Sequence, residues 1–415
     1  MNLDSALSSA CFATMVWLGS AGPTGSRVVP LSARSDTTRV RSVGSGRWGG
    51  AQIAQEELRI AGGADGIEFG SLDCLTALPD GGVAVLDSKG RDGPVIQVFD
   101  ANGRRRRSLG RAGAGPGEIG SRAGAFCLTS APSGTILMLD YANSRVNRWS
   151  PAGDVLPSIP LPPGVGGFPP YILPGPEGSI FVRVSLVRSR SGVGIGLGSF
   201  GFVRVAESGR ILDTLPRAAS PQQSKPSRIF DPVERSLPLP QGRYVTSGDE
   251  RLAFVVQGPH AGVSVLLAER PVDRVRVLPE ERREIEAELA FTAKQTKGMM
   301  PSPGVAELKA ATSDMMVDVE GRIWFQMNVR AVKGAIVTPR PAPGQPTPPG
   351  QSYRMPPVFS VFTSAGVFLG EVRLPLVQAY LQNFGFVGSH LWGIRTDAND
   401  FPVLVKWRIP GARTP

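Results

Sequence analysis

Short apolar runs separated by glycine- or proline-bearing turns recur along the chain, and their register repeats. CLTALPDGGVAVLD, from Cys74 to Asp87, aligns with CLTSAPSGTILMLD, from Cys127 to Asp140, at an offset of 53 residues. Both begin Cys-Leu-Thr, carry a Pro-x-Gly turn (Pro79 and Gly81; Pro132 and Gly134) and end Leu-Asp. Each unit predicts a strand, a tight turn and a nearly continuous apolar strand (Val83 to Leu86; Ile136 to Leu139), the pattern of a strand covered on both faces. A third strand and a turn follow at Val95 to Gly103 and Arg145 to Gly153, then a fourth strand at Arg104 to Leu109 and Val155 to Leu161. Four antiparallel strands in about 40 to 55 residues make one propeller blade.

Further copies extend the pattern. Pro176 to Val184 with Phe202 to Leu215 gives a third unit around a Gly-rich insertion at Ser189 to Gly201, and Gly242 to Leu278 a fourth. Met315 to Met327 with Val358 to Leu374 makes a fifth, and Phe384 to Ile409 a sixth. The sixth lacks a fourth strand after Ile409, and Glu57 to Ile60 is the expected donor, closing the ring and removing its open edges. The expected fold is therefore all-β: a six-bladed propeller over residues 55–410, a leader over 1–54, a tail over 411–415 and one short inserted helix. That helix is PEERREIEAELAFTAK, Pro279 to Lys294, with Pro first, Glu in the opening turn, Lys at the end, and Ile285 and Leu289 on one face. Pro339 to Pro357 is expected to be an exposed polyproline-like loop.

The residues carry a resemblance at this point. The G-x-(apolar)-x-(apolar)-x-D pattern, the interblade GRAGAGPGE from Gly110 to Glu118, and Asp140, Asn143 and Arg145 in DYANSR resemble the NHL-type six-bladed propellers of bacteria over about residues 56 to 409. The resemblance implies a ring-shaped binding scaffold, often exported, whose members mostly have no assigned activity.

Composition agrees with many tight connections: 51 Gly and 38 Pro among 415 residues, with 41% hydrophobic and 19% charged. The net charge is +10, and only seven of the 45 basic residues are Lys. Ala6 to Leu18 is an uncharged, largely apolar run of signal-core length, though no Lys or Arg precedes it and Asp4 does. Cys11 lies inside that run. Residues 23 to 54 lack periodicity and read as a flexible tether, so the expected location is outside the cytoplasm.

Chemistry is sparse. His260 and His390 are the only histidines, which excludes a three-His metal centre, and no G-x-S-x-G nucleophile elbow is present. Cys74 and Cys127 occupy equivalent inner-strand positions and read as buried thiols rather than a disulfide. GRAGAGPGE reads as an interblade turn, with Arg111 and Glu118 pairing across it, because a strand follows it where a phosphate loop would open a helix. The Gly-rich run at 189–201 reads as a flexible loop.

The expected function is a binding or scaffold protein with no catalytic residues, metal or cofactor. Its ligand, a protein or small molecule, would sit at a channel mouth near Asp87, Asp140, Asn143 and Arg145. Two other classes stand beside it. Asp87, Asp140 and Asn143 would supply the hard oxygen ligands of a Ca²⁺-dependent hydrolase or lyase. Arg104 to Arg107 would supply a polyanion-binding surface, but these side chains alternate faces on a strand and no aromatic residue is interleaved for base stacking.

Overall fold

The computed structural model describes residues 37–63, 67–120, 126–166, 171–189, 192–215, 228–233, 235–247, 251–258, 265–297, 303–338, 344, 346–375, 384–397 and 401–412, with side chains omitted at 126 and 185–200. The run Ala6 to Leu18, Cys11 and His260 lie outside these residues.

Three strands come first: β1 (Thr37–Arg41), β2 (Ala51–Ile53) and β3 (Gln55–Ala61). Blade one is β4 (Leu72–Ala77), β5 (Val83–Asp87), β6 (Val95–Phe99) and β7 (Arg105–Leu109). Blade two is β8 (Phe126–Ser130), β9 (Ile136–Asp140), β10 (Arg145–Trp149) and β11 (Val155–Pro160). Blade three is β12 (Ile172–Pro174), β13 (Ile180–Ser189), β14 (Gly192–Val205) and β15 (Ile211–Thr214). Blade four is β16 (Arg235–Pro238), β17 (Tyr244–Ser247), β18 (Leu252–Gln257) and β19 (Val265–Arg270), followed by the helix α1 (Pro279–Gln295). Blade five opens with β20 (Thr312–Val317) and β21 (Ile323–Met327), extrudes a separate hairpin of β22 (Val332–Val337) and β23 (Gln351–Arg354), and ends with β24 (Val358–Phe362) and β25 (Phe368–Arg373). Blade six is β26 (Phe384–Val387), β27 (His390–Thr396) and β28 (Pro402–Arg408), with β3 as its fourth strand.

The chain is thus a six-bladed β-propeller of four-stranded antiparallel blades. The first strand of each blade lies innermost, and β26, β4, β8 and β12 touch in succession, as do β16 and β20. Ring closure follows the sequence expectation: β3 runs antiparallel to β28, Ile60 opposite Leu404 and Leu58 opposite Lys406.

The apolar second strands are explained by this arrangement. Every residue of β5 and β9 is buried, because neighbouring blades cover both faces. The apolar clusters lie between blades: Val83, Val85, Trp392 and Leu404 join blades one and six, while Leu86, Ile96, Leu128 and Met138 join one and two. The repeated Pro-x-Gly turns also match. Gly81 donates its N–H to Leu78 O and Gly134 to Ala131 O, both at φ +84°, a left-handed geometry that glycine adopts without a Cβ clash.

Three stretches differ from the sequence expectation. The tether over residues 23 to 54 carries strands from Thr37 onward. β1 adds to β19 in parallel, Thr37 opposite Val265 through Arg41 opposite Glu269, and β2 adds in parallel to β25. Strand addition at an edge works through backbone hydrogen bonds, so it leaves little hydrophobic pattern to detect. Two larger apolar side chains anchor this stretch: Val40 packs against a buried cluster, and Trp48 donates its backbone N–H to Leu369 O at 2.7 Å and places its ring 6.3 Å from that of Trp324. Replacing Trp48 by Ala is expected to raise the rate of protease nicking in 42–54 about tenfold, as the free energy of opening the strap falls by ~1.4 kcal/mol. Unchanged nicking would show that β1 and β2 hold without it.

The second difference is the Gly-rich insertion, which forms strand along β13 and β14. GVGIGLG alternates Gly with an apolar residue, a period of two that suits strand despite the glycine content. The third lies in the Pro-rich stretch, where the proline-free QSYR retains its backbone donors and pairs as β23 with β22.

Candidate functional site

Antiparallel blades sort their connections by end. The links between second and third strands, and those between successive blades, emerge at one end of the ring; the remaining turns emerge at the other. The long insertions are all of the first kind. The β13–β14 hairpin links second to third strand in blade three, residues 271–311 link blade four to blade five, and the β22–β23 hairpin links second to third strand in blade five. Blades three to five therefore carry their additions on a single face, here termed the insertion face.

Helix α1 ties two of these additions together. Its Ile285 and Leu289 pack with Val277, Val305, Ile229 and Phe230, so the helix docks on its own domain. Arg282 donates to the carbonyls of Val305 and Ala306 at 2.8 and 2.9 Å. Away from that seam, Glu284 accepts the N–H groups of Ser352 and Tyr353 at 2.8 and 2.9 Å and the Ser352 hydroxyl at 2.5 Å, while Glu288 accepts from Gln351. Beneath the helix, Lys309 Nζ is 2.6 Å from Glu281 Oε1 and donates to Val329 O at 3.1 Å, with no exposed surface on the lysine.

The innermost strands begin on this same face, and their first residues bring a polar cluster to the axial mouth. Tyr171 immediately precedes β12, Arg183 lies beside it on β13, Arg235 opens β16 and Asp314 stands near the start of β20. Arg183 places its guanidinium carbon 4.8 Å from the centre of the Tyr171 ring and 5.8 Å from that of Phe202. Arg235 Nε is 3.3 Å from Asp314 Oδ1. Cys127 and Cys74 open the neighbouring inner strands as free thiols, and Tyr141 stands just past β9.

All of these side chains keep partial solvent exposure. The titration of Arg183, Tyr171, Tyr141, Cys127 and Cys74 nevertheless reflects crowding by protein. Burial pulls Arg183 below the usual arginine range, with Tyr171 and Asp314 opposing, and pushes Tyr171 above the usual tyrosine range. Burial likewise pushes Tyr141 up to about 12 and the Cys127 thiol up to about 11, and raises the Cys74 thiol well above its ordinary value. At neutral pH these phenols and thiols are therefore held in their neutral forms.

The residues singled out from sequence lie on the insertion face of blades one and two, Asp87, Asp140 and Arg145 at the ends of middle strands and Asn143 in the turn between β9 and β10. Asp140 is fully buried and accepts from the N–H groups of Gly120 and Asn143 at 3.3 Å, from Asn143 Nδ2 at 2.8 Å and from Asn147 Nδ2 at 3.2 Å, with Arg145 Nε at 3.7 Å. Asn143 donates to Gly113 O, and Arg145 donates to the carbonyls of Ala114, Gly115 and Glu118. Asp140, Asn143 and Arg145 therefore form one network that clamps the interblade loop Gly110 to Glu118. Across that loop Arg111 pairs with Glu118 at 2.8 Å. Asp87, in blade one, does the corresponding task separately, accepting from Gly70 and Ser71 N–H at 2.9 and 2.8 Å and from Lys89 N–H at 3.3 Å. Its carboxylate does not converge with that of Asp140.

Elsewhere the sequence candidates have structural partners. His390 Nε2 is 3.1 Å from Glu57 Oε2 on the opposite face, and Arg106 of the basic strand pairs with Asp80. Cys74 and Cys127 are free, partly buried thiols packed against the apolar clusters between blades, not joined in a disulfide. Among the described residues, no three His, Cys, Asp or Glu side chains are grouped to hold a metal ion, and no helix is long and apolar enough to cross a membrane. The mouth cluster has no local signature, because its members come from separate blades more than 140 residues apart at the extremes; the one cue was the clustering of insertions in units three to five.

No protein-family model matches the chain, and neither does any curated protein in sequence. Among solved structures, the chain is similar to a member of the DUF4221 family from Bacteroides vulgatus, at 13% identity and a TM-score of 0.47 over 86% of this chain and 97% of that one. It is also similar to a putative exported protein from Bacteroides fragilis, at 13% identity and a TM-score of 0.45 over 90% and 99% of the two chains. A third is virginiamycin B lyase from Staphylococcus aureus, at 12% identity and a TM-score of 0.35 over 85% and 98%.

Proposed function

We propose that the chain is a non-enzymatic, NHL-type binding scaffold, exported by its amino-terminal run, that holds a ligand at the axial mouth of the insertion face. The observation carrying this reading is the one-sided construction of the ring: the insertions of blades three to five share an end with Tyr171, Arg183, Arg235 and Asp314. A rigid ring with short turns on one face and built-up walls on the other is suited to presenting a fixed concave surface. Asp87, Asp140, Asn143 and Arg145 shape the blade-one and blade-two side of that rim by fixing its loops.

The Ca²⁺-dependent alternative draws less support, since Asp87 and Asp140 already accept from several donors each and stand in separate networks. For the full chain purified from its native host, native mass spectrometry with hydrogen-exchange footprinting is expected to show a retained ligand that protects residues around 171–183, 235–238 and 312–314. Protection confined to the opposite face, or co-purifying nucleic acid, would overturn the reading. Calcium and chelator are expected to leave the melting temperature unchanged; a Ca²⁺-dependent rise would favour the hydrolase or lyase class instead.

A further inference from the structure

We propose that the groove between blades one and two, at the end of the ring opposite the insertion face, binds a carboxylate carrying a benzene-sized apolar body, with Arg107 as the group that pairs with its charge. This site is separate from the axial mouth and does not depend on the ligand proposed there. Its floor is apolar, formed by Leu78, Val98, Leu109 and Ile136, none more than 6% exposed, and its rim includes the turns at Pro79 and Ser133. The groove has a volume of about 140 Å³, close to the roughly 150 Å³ that accommodates a benzene ring.

Three charged side chains line the groove, and two of them cancel. Arg106 pairs with Asp80 in the β4–β5 turn. Against the opposing effect of burial, that guanidinium and the Gly82 N–H at 3.0 Å hold the Asp80 carboxyl below its usual range, so the pair is ionised at neutral pH. Arg107 is left over. It is half-buried, and among the described residues it has no hydrogen-bond or ion-pair partner. The repeat explains why: the β8–β9 turn has Ser133 where the β4–β5 turn has Asp80, 53 residues earlier, so blade two brings no carboxylate to the lining. Gly153 leaves space for the arginine, since a Cβ there would come within 2.8 Å of Arg107 Nη1 and 3.0 Å of its Cδ. One uncompensated guanidinium calls for one negative charge, and its planar fork of donors matches a carboxylate. The apolar floor beside it favours an organic anion over an inorganic one.

Isothermal titration of the full chain at pH 7, with benzoate, benzamide and acetate as probes, tests the proposal. Benzoate is expected to bind about tenfold more tightly than benzamide, which lacks the charge, and than acetate, which lacks the ring. It is also expected to slow hydrogen exchange at 78–80, 106–109 and 133–136. Arg107→Met, which keeps the packed stem, is expected to weaken benzoate about tenfold and leave benzamide unchanged, a split that a purely structural role would not produce. Ser133→Asp copies the blade-one turn onto an exposed position. It is expected to weaken benzoate several-fold by pairing with Arg107, and this arm stands even if the Arg107 variant folds poorly. Benzoate no tighter than benzamide, unchanged benzoate affinity in either variant, or protection by benzoate only at 171–183 and 235–238 would each overturn the proposal. The reading of the axial mouth stands or falls separately, on the ligand retained by the native chain.

Discussion

Lys309→Ala is expected to destabilise the helix-bearing insertion by about 3–5 kcal/mol, because it strands a buried carboxylate. Lys309 and Glu281 are both almost without solvent contact, and their 2.6 Å ion pair is completed by Val329 O and by the Phe230 ring 4.9 Å from the ammonium. Removing the cation leaves Glu281 with the Leu278 N–H at 3.3 Å as its remaining hydrogen bond among those described. Removing both charges is a different matter. Lys309→Met combined with Glu281→Leu is expected to lie within about 1.5 kcal/mol of the parent, since the desolvation cost of both ions disappears with their attraction. Urea unfolding, with hydrogen exchange of the α1 amides to catch local opening, measures both. A single variant no worse than the double would show that the pair is solvated in solution.

Asp140→Ala is expected to cost about 3–5 kcal/mol as well, for a related reason in a different setting. The carboxylate is the hub for Gly120, Asn143 and Asn147, and Arg145, its ion partner, is itself largely buried with three loop carbonyls on its other N–H groups. Deletion removes the hub and leaves a sequestered guanidinium without its counter-charge. Asp87→Ala should be milder, because only backbone N–H groups of Gly70, Ser71 and Lys89 lose an acceptor there and no cation is stranded. The ranking is the test. Equal midpoint shifts in denaturant for the two variants would mean that Arg145 contributes nothing through Asp140.

What the chain reveals on inspection follows from how each feature is encoded. The 53-residue register between Cys74 and Cys127 is visible because β4, β5, β8 and β9 occupy equivalent places between blades and need the same residue types. Helix α1 is visible through Pro279 and Glu280 at its start and Lys294 at its end, and it runs one residue beyond the expected Lys294. Closure by β3 is visible as a missing partner for β28. By contrast, β1 and β2 pair chiefly through their backbones, and little beyond Val40 and Trp48 marks their path. The sheet-forming period in GVGIGLG was masked by its glycine content, which reads as a loop when composition is weighed above alternation.

The site shows the same division. Asp87, Asp140, Asn143 and Arg145 attract attention because they repeat, and they repeat because every blade needs its links fastened. The residues at the axial mouth are under no such constraint. Tyr171, Arg183, Arg235 and Asp314 come from units three, four and five, where the repeat is fainter than in units one and two, and no local spacing connects them. Their adjacency is a property of the ring.

The strap of β1, β2 and β3 also dictates an order of events. These strands leave the ribosome first, yet their partners β19, β25 and β28 are made more than 200, 300 and 340 residues later. Until then the earliest strands have no edge to join, and the closing contact spans nearly the whole chain. Such long-range pairing is slow and cannot begin during synthesis of the first half. β1 gains its partner when blade four is made, β2 when blade five is made and β3 only with the last strand, so the ring locks in stages and closes last where its two ends meet.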